Sequence, residues 1–250
     1  VELCDITETL VFSDPYFNSE RNHHTPQLDR IVARLREDID LKVEAHHLKA
    51  KFCNNGETML HGDFHTGSVM VSDNETKIID PEFALYGPMG FDVGMLLGNF
   101  WMAYFAQPGH ASVKGERDEY QNWILDVVDG VWSHFSSEFS RLCREERTGI
   151  LYEKTLFEDQ GHKLASEQAL SHRLNAIWED TLGFAGVEII RRTLSLAHIA
   201  ETITIKDEKL RADCEARGLD LGRQLVVNRS RINSMASVHD LVQIIAKEAK

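Results

Sequence analysis

Three carboxylates within residues 60–94 have the types and the spacing that phosphoryl transfer requires. Asp63 precedes an apolar run, and Asp80 and Glu82 follow a second apolar run, with Pro81 between them. This chemistry uses one carboxylate beside the attacking hydroxyl and others that hold magnesium on the nucleotide phosphates. Mg²⁺ prefers oxygen ligands and takes only one or two of them from carboxylates. The stretch therefore predicts a base or orienting group at Asp63 and a metal site at Asp80 and Glu82.

A predicted β-hairpin bears on whether these acids belong together. Two strand-like runs, Val69–Val71 and Lys77–Ile79, flank Ser72–Glu75, which has the composition of a turn. A hairpin brings the residue before its first strand and the residue after its second strand to the same end. The two acidic loops are therefore expected to converge. Without convergence, Asp63 is equally well explained as a turn residue that caps backbone N–H groups, and the second pair as a solvated acidic turn.

Histidines around the same loop raise the alternative of a zinc hydrolase. His61, Asp63 and His65 alternate, and alternate residues of a strand share a face. Two pairs of adjacent histidines, His23–His24 and His46–His47, add further nitrogen donors. No further ligand stands at an obvious spacing, and a transition-metal site needs a defined ligand shell. We therefore interpret most of these histidines as surface residues.

Helical spacing of apolar residues predicts helices on both sides of the hairpin. Ahead of it, residues 28–35 and 41–52 predict two helices, or one helix broken near Asp38, and Glu2–Tyr16 has no clear pattern. After it, an apolar helix is expected to begin at Phe91 and to end at Gln107–Gly109. The region ahead of the acidic loop is thus interpreted as loop plus helices.

The second half of the chain is predicted to be helical almost throughout. Glu116–Arg147 has an apolar stripe, including Tyr120, Trp123, Ile124 and Leu142, that we expect to face the core. Residues 169–200 predict a helix interrupted near 183 and 186, where glycines occur, and residues 206–217 and 237–250 predict two more. Residues 151–168 are polar and irregular. The fold class is therefore mainly α with a small β-hairpin, in one domain.

Composition limits the classes of function. The 250 residues carry a net charge of −13, from 27 Lys+Arg against 40 Asp+Glu, which argues against non-specific nucleic-acid binding. No apolar run approaches the ~20 residues that span a bilayer. Four scattered cysteines without a C-x-x-C pair fit reduced thiols. We expect a cytoplasmic protein that binds neither nucleic acid nor membrane.

Two motifs in the acidic stretch resemble a known family. They are HGDFHTGS at residues 61–68 and IDPEFALYGPMGFDVG at residues 79–94. The pair resembles the aminoglycoside-phosphotransferase and choline-kinase branch of the protein-kinase-like fold, and within it the 5-methylthioribose kinase family. WED at 178–180, GFAG at 183–186 and IRRT at 190–193 extend the similarity. Ser68 departs from the wider branch, which has Asn there, and Glu82 departs from a second motif that usually begins with Asp alone.

The resemblance implies roles for individual residues. Asp63 would contact or deprotonate the sugar hydroxyl at the anomeric carbon, and Asp92 would brace the backbone of its loop. Arg191 and Arg192 would reach the substrate and the phosphoryl group, because planar guanidinium donors suit phosphate oxygens. Neighbouring helix residues point about 100° apart, so one of the two could instead be an ordinary surface arginine. The residues implied to hold ATP or Mg²⁺ lie at the base of the hairpin: Ser68, Asp80, Pro81 and Glu82.

The resemblance also implies a reaction and a domain organisation. The γ-phosphoryl group of ATP would pass, with Mg²⁺, to the 1-hydroxyl of 5-methylthioribose, a small sugar of methionine salvage, in a homodimeric enzyme. Kinases of this fold carry a glycine-rich loop and a strand lysine in a separate nucleotide lobe. Nothing before His61 supplies them. We expect residues 1–250 to form a C-terminal lobe without the N-terminal nucleotide lobe, and the chain to have little activity alone.

Two other functions stay open at the level of sequence. Another small-molecule kinase, acting on an aminoglycoside or a choline-like alcohol, would use the same acids, although two adjacent arginines disfavour a cationic acceptor. A non-catalytic binding protein built on a kinase lobe is the alternative from a different class. Such a lobe would be free to lose Asp63, Asp80 and Glu82, whose like charges repel without a metal. Their presence favours an enzyme.

Overall fold

The computed structural model describes residues 2–146 and 154–248 and is mostly helical. This confirms the predicted predominance of α structure. The α-helices, in chain order, are α1 (Glu2–Phe12), α2 (Asp29–Glu37), α3 (Ile39–Asn54), α4 (Gly90–Ala106), α5 (Asp118–Glu145), α6 (Lys163–Leu194), α7 (Ala200–Ile203), α8 (Glu208–Asn228) and α9 (Met235–Lys247). Among these residues, no helix combines the length and apolar composition needed to cross a bilayer.

Two small antiparallel sheets, rather than one hairpin, lie between α3 and α4. Strands β2 (Val69–Val71) and β3 (Thr76–Ile78) form the predicted hairpin, with Val69 opposite Ile78. Strands β1 (Thr58–Leu60) and β4 (Leu85–Gly87) form the second sheet. Strand β4 was not predicted, because it is three residues long and is defined by its long-range pairing rather than by any period of its own.

Helices α2 and α3 are separate, with Asp38 between them. The Asp38 carboxylate accepts a hydrogen bond from the Leu41 backbone N–H at 3.0 Å and so caps α3. Helix α1 occupies residues for which no helix was predicted. At the other end, α8 continues well beyond residue 217.

Helix α6 runs without interruption, so the predicted break near Gly183 and Gly186 is wrong. These glycines permit close packing of neighbouring helices. A Cβ atom at Gly186 would lie 2.5 Å from the carbonyl oxygen of Gly222 on α8, and one at Gly183 would lie 2.7 Å from a methyl group of Leu48. Glycine therefore costs the helix some stability but allows a contact that no larger residue permits.

The apolar stripe on α5 is only partly buried, which corrects the expectation that it faces the core. Ile124 is buried, whereas Tyr120 and Trp123 stack on one another and are about half exposed. Leu142 is also exposed. The helix ends at Glu145, and residues 147–153, on which parts of the predictions for 116–147 and 151–168 fall, lie outside the described residues, as do 249–250.

The core consists mainly of α4 and α6 packed against each other, with α8 beside them. One apolar cluster joins these helices to α1–α3 and contains the contacting rings of Phe52, Phe91 and Phe184. A second cluster joins them to α5 and α9 around Trp101. The two small sheets lie beside this helical core, next to the first turn of α4.

Candidate functional site

The loop that carries Asp63 is fixed by Asp92 in the first turn of α4. The Asp92 carboxylate accepts hydrogen bonds from the backbone N–H groups of His61 at 2.6 Å and Gly62 at 3.1 Å. Burial raises the pKa of Asp92, and these hydrogen bonds oppose the rise. The prediction that Asp92 braces the loop is confirmed.

Gly62 allows this loop to lie directly against the chain that follows the hairpin. Its φ is +87°, and a Cβ atom there would lie 2.1 Å from the carbonyl oxygen of Phe83. Any other residue would combine backbone strain with a steric clash. The loop around Asp63, called the first acidic loop below, is therefore in backbone contact with the chain next to Asp80–Glu82, called the second acidic loop.

Further hydrogen bonds join the two loops at the base of the hairpin. The Ile79 N–H donates to the Ser68 carbonyl oxygen at 3.0 Å, and His61 Nε2 is 2.8 Å from the Ile79 carbonyl oxygen. Ser68 is buried, and its hydroxyl donates to the Asp63 carbonyl oxygen at 3.1 Å. Residues 61–82, called the hairpin segment below, thus form one connected unit, and the two loops converge as predicted.

The second acidic loop is exposed to solvent. Asp80, Pro81 and Glu82 are all exposed, and Asp80 has a φ of +65°. Positive φ is uncommon outside glycine, although Asp tolerates it better than most residues. Within residues 2–146 and 154–248, no three His, Cys, Asp or Glu side chains are grouped closely enough to hold a metal ion. A cation bound here would need oxygen ligands from another molecule.

The histidines of the HGDFH motif have separate partners. His61 contacts the Ile79 carbonyl oxygen, whereas His65 Nδ1 accepts a hydrogen bond from the Gly67 N–H at 3.0 Å. His65 Nε2 lies 3.6 Å from Asp63 Oδ2. Burial and the neighbouring Arg192 lower the pKa of His65. The two histidines therefore stabilise the loop, and His65 also lies next to Asp63.

Arg191 and Arg192 both reach Asp63, although they are neighbours on α6. The terminal guanidinium nitrogens NH2 of Arg192 and Arg191 lie 2.9 and 3.4 Å, respectively, from Asp63 Oδ1. Both arginine side chains are under 10% exposed, with values of 7% and 9%, whereas that of Asp63 is 32% exposed. The alternative that one of them is a surface arginine is wrong.

A buried carboxylate, Glu188, holds the two arginines from the other side. It is fully buried, and its oxygens lie 2.6 Å from Arg192 Nε and 3.1 Å from Arg191 Nε. Asn99 on α4 donates to the same carboxylate at 3.3 Å. Glu188 is not among the residues predicted from the sequence. Its position three and four residues before the arginines, which is one helical turn, is the signal that would have identified it.

The charges of Glu188, Arg191 and Arg192, called the arginine cluster below, are mutually compensated. Burial would raise the pKa of Glu188, but the two arginines outweigh burial and lower it. Burial lowers the pKa of Arg191, whereas at Arg192 the two carboxylates outweigh burial and raise it. Both arginines also lie in the last turn of α6, where the helix dipole favours cations. The site thus presents fixed positive charge beside a partly exposed carboxylate.

The chain is similar in sequence to known phosphotransferases. Residues 1–128 match the model of the phosphotransferase enzyme family. The chain is 40% identical to methylthioribose kinase of Escherichia coli O45:K1 over 238 aligned residues. The alignment covers 95% of the chain and 56% of that protein. It is 38% identical over 241 residues to methylthioribose kinase 1 of Oryza sativa subsp. japonica, covering 95% and 55%. The chain therefore spans about half the length of the curated relatives it matches.

Proposed function

The chain belongs to the phosphotransferase enzyme family, and from this premise we propose that it is the acceptor-binding part of a methylthioribose kinase. In that role it would direct the γ-phosphoryl group of ATP onto the 1-hydroxyl of 5-methylthioribose. The observation that carries the proposal is the contact of Asp63 with Arg191 and Arg192. A carboxylate that can accept a hydrogen bond from a hydroxyl group thus lies beside two cations that can bind a phosphoryl group, and this supports the proposal.

Asp63 is suited to receive the acceptor hydroxyl. Its loop is held by Asp92 and by the Ser68 hydroxyl, while its side chain stays 32% exposed. A hydroxyl that donates to this carboxylate would be oriented for attack and could lose its proton to it. The fixed backbone limits the freedom lost when the substrate binds.

Arg191 and Arg192 are suited to the phosphoryl group in transfer. Their burial means that charge interactions at the site are less screened than at an open surface. Because Glu188 accepts a hydrogen bond from Arg192 Nε and forms an ion pair with Arg191 Nε, both guanidinium groups are held in place before any ligand arrives. Pre-oriented cations of this kind stabilise charge that develops on phosphoryl oxygens.

The second acidic loop suits Mg²⁺ on a nucleotide. Two exposed carboxylates, Asp80 and Glu82, supply oxygen donors only, and this matches a hard cation that takes its other ligands from water and phosphate. When bound, the ion would neutralise phosphate oxygens. The positive φ of Asp80 fits a functional position, since strained residues concentrate at such sites. We assign ATP and Mg²⁺ to the loop as proposals, with Pro81 and Ser68 as neighbours.

The hairpin offers an apolar surface next to these acids. Val71 and Ile78 lie on one face of the hairpin, because Val69 pairs with Ile78 and Val71 is the alternate residue after Val69. They are 75% and 60% exposed. We propose that this face packs against the nucleotide base and that the chain acts as the C-terminal lobe, with the glycine-rich loop and lysine supplied by a separate N-terminal lobe. The homodimer and the cytoplasmic location stay predictions.

The first test measures sugar binding by calorimetry and turnover by coupled ADP release. We expect the chain to bind 5-methylthioribose at least about tenfold more tightly than ribose, since burying a methylthio group adds about 1–2 kcal/mol. Arg192→Gln should weaken that binding, and the matched surface variant Arg34→Gln should not. ADP release by the chain alone should be slow. Equal affinity for both sugars, or tighter binding of a cationic amino alcohol, would contradict methylthioribose as the acceptor.

A second measurement separates an enzyme from a binding protein. Asp80→Ala should reduce affinity for magnesium-ATP, whereas Asp73→Ala in the hairpin turn should leave it unchanged. If magnesium-ATP affinity is the same in both variants, the assignment of Asp80 to the metal is wrong.

A further inference from the structure

A second cavity lies well away from the Asp63 site, at the opposite end of α4. It has a volume of about 770 Å³, is partly open to solvent, and is lined by the end of α4, the segment that leads into α5, and parts of α8 and α9. Tyr104 in its wall lies twelve residues after Asp92, which corresponds to about 18 Å along the helix axis. The cavity is therefore separate from the site described above, and its volume is typical of small-molecule sites.

Four cations surround this cavity in a chain with a net charge of −13. They are Lys114, Arg117, Arg217 and Lys247. None of them lies within 4 Å of a carboxylate in the described part of the chain. By contrast, Arg173 forms an ion pair with Glu57 at 2.9 Å.

The two arginines have hydrogen-bonding groups inside the protein that lack partners. The Nε atoms of Arg117 and Arg217 are buried, and neither has a hydrogen-bond acceptor within the described residues. The other Arg217 nitrogens donate to the backbone oxygens of Asp213 at 3.1 Å and Glu248 at 3.3 Å. A buried donor without an acceptor is costly. Because these Nε atoms are inaccessible to solvent, an anion in the cavity would contact the other guanidinium nitrogens of Arg117 and Arg217, both of which line it.

We propose that this cavity binds a phosphorylated small metabolite. Guanidinium groups recognise phosphate oxygens through paired N–H donors, and Lys114 and Lys247 at the exposed rim add charge. Two carboxylates, Asp118 and Asp213, also line the cavity and leave a net charge of about two positive. They can accept hydrogen bonds from hydroxyl groups, so a ligand with both a phosphate and a polyol fits better than inorganic phosphate.

Apolar walls restrict the ligand further. Tyr104, Pro108 and Leu210 line the same space. They exclude a ligand that is charged along its whole length, such as a polyphosphate chain. A monophosphate ester of a sugar, with one charged end and a less polar body, matches the distribution of charged, polar and apolar side chains around the cavity.

The test uses ribose 5-phosphate as the probe and ribose as the matched control, measured by calorimetry on the 250-residue chain. We expect ribose 5-phosphate to bind with a Kd of about 1 mM or tighter, and ribose to bind at least about tenfold more weakly. Arg117→Gln combined with Arg217→Gln should weaken phosphate-dependent binding at least about tenfold. The surface variant Arg34→Gln should leave it unchanged.

Two further arms keep the outcome decisive. Lys247→Gln changes an exposed side chain at the rim and can be tested even if the double variant does not fold. We expect it to weaken binding severalfold. Arg192→Gln distinguishes the two sites, because binding to the cavity should survive it. Loss of binding with Arg192→Gln alone would place the ligand at the Asp63 site and overturn the proposal. The absence of heat at about 10 mM ribose 5-phosphate would also overturn it.

Discussion

The hairpin segment and the arginine cluster face each other across the candidate site but differ in almost every physical respect. Glu188 is fully buried and the arginines nearly so, and all three lie on one long helix. Asp80 and Glu82 are exposed and follow a strand of three residues. A buried charge must be paired before ligand binding, because its desolvation is otherwise too costly. Exposed carboxylates are stabilised by water and therefore need no partner in the protein before a metal ion binds.

The comparison suggests that the two regions have different roles. The buried arginines form a fixed group of cations, whereas the exposed carboxylates can adjust to a ligand. Asp63 belongs to both, since it lies in the hairpin segment but contacts Arg191 and Arg192. If this division is correct, removal of the Glu188 carboxylate, which lies behind the arginines, will affect mainly the fold, whereas substitutions in the hairpin segment will affect mainly ligands.

Glu188→Gln should have the largest effect on the fold. Removal of the buried carboxylate leaves two buried guanidinium groups with only Asp63 to compensate them, and breaking such a network typically costs about 3–5 kcal/mol. Urea denaturation will measure the loss. The matched control is Glu138→Gln, whose carboxylate pairs with Arg141 at the surface, and its stability should be nearly unchanged. Equal losses in the two variants would remove the basis for the comparison.

Asp63→Asn should change ligand binding in two opposite directions. Affinity for methylthioribose should fall by about tenfold or more, because a charge-assisted hydrogen bond to its hydroxyl is weakened. Affinity for inorganic phosphate should rise, because Arg191 and Arg192 lose a neutralising charge. Calorimetry with each ligand separates the two effects, with Asp73→Asn as the control. A fall in both affinities would show that Asp63 mainly maintains the loop.

Gly186→Ala should destabilise the helical base by about 1–3 kcal/mol through overpacking, because the new Cβ would meet Gly222 at 2.5 Å. Gly130→Ala on α5 is the matched control, since a Cβ there meets nothing within 4 Å. That substitution should stabilise the protein by about 0.5–1 kcal/mol by favouring the helix. Thermal unfolding of both variants checks the difference in sign, and stabilisation by both would contradict the proposed helix contact.

His65 should give the smallest effect, a dependence of stability on pH. Burial and Arg192 lower its pKa, so the folded protein binds fewer protons than the unfolded chain below pH of about 6.5. The free energy of unfolding should therefore fall as the pH is lowered from about 6.5 towards the folded-state pKa. His65→Asn should reduce this slope, and His134→Asn on the exposed face of α5 should not. An unchanged slope in His65→Asn would mean that other groups control it.

The sequence predicted those parts of the site that depend on local pattern. The hairpin follows from two apolar runs around Ser72–Glu75, whereas the brace at Asp92 was implied only by the resemblance to the kinase family. The pairing of β1 with β4 was not predictable, because both strands are only three residues long and lie far apart in the chain. Local propensity decides little at that length.

The continuity of α6 could not be inferred from its composition. Gly183 and Gly186 weaken a helix in isolation. Their role in close helix packing is apparent only from the nearby Leu48 and Gly222. Glu188 was missed for a related reason. A glutamate in a helix is usually a surface residue, and its burial depends on how α4 packs on α6 and brings Asn99 close.

The contrast between a short exposed hairpin and a long buried helix has a consequence for amide hydrogen exchange. Helix α6 has 32 residues and is about 48 Å long, and its amides around Ile189 lie in the fully buried core, so they should exchange only when the whole protein opens. The three-residue strands β2 and β3 should exchange by local opening and therefore much faster. A ligand that joins the two regions would slow exchange in the hairpin first, so one isotope-labelling experiment would report ligand arrival and global stability from different parts of the same chain.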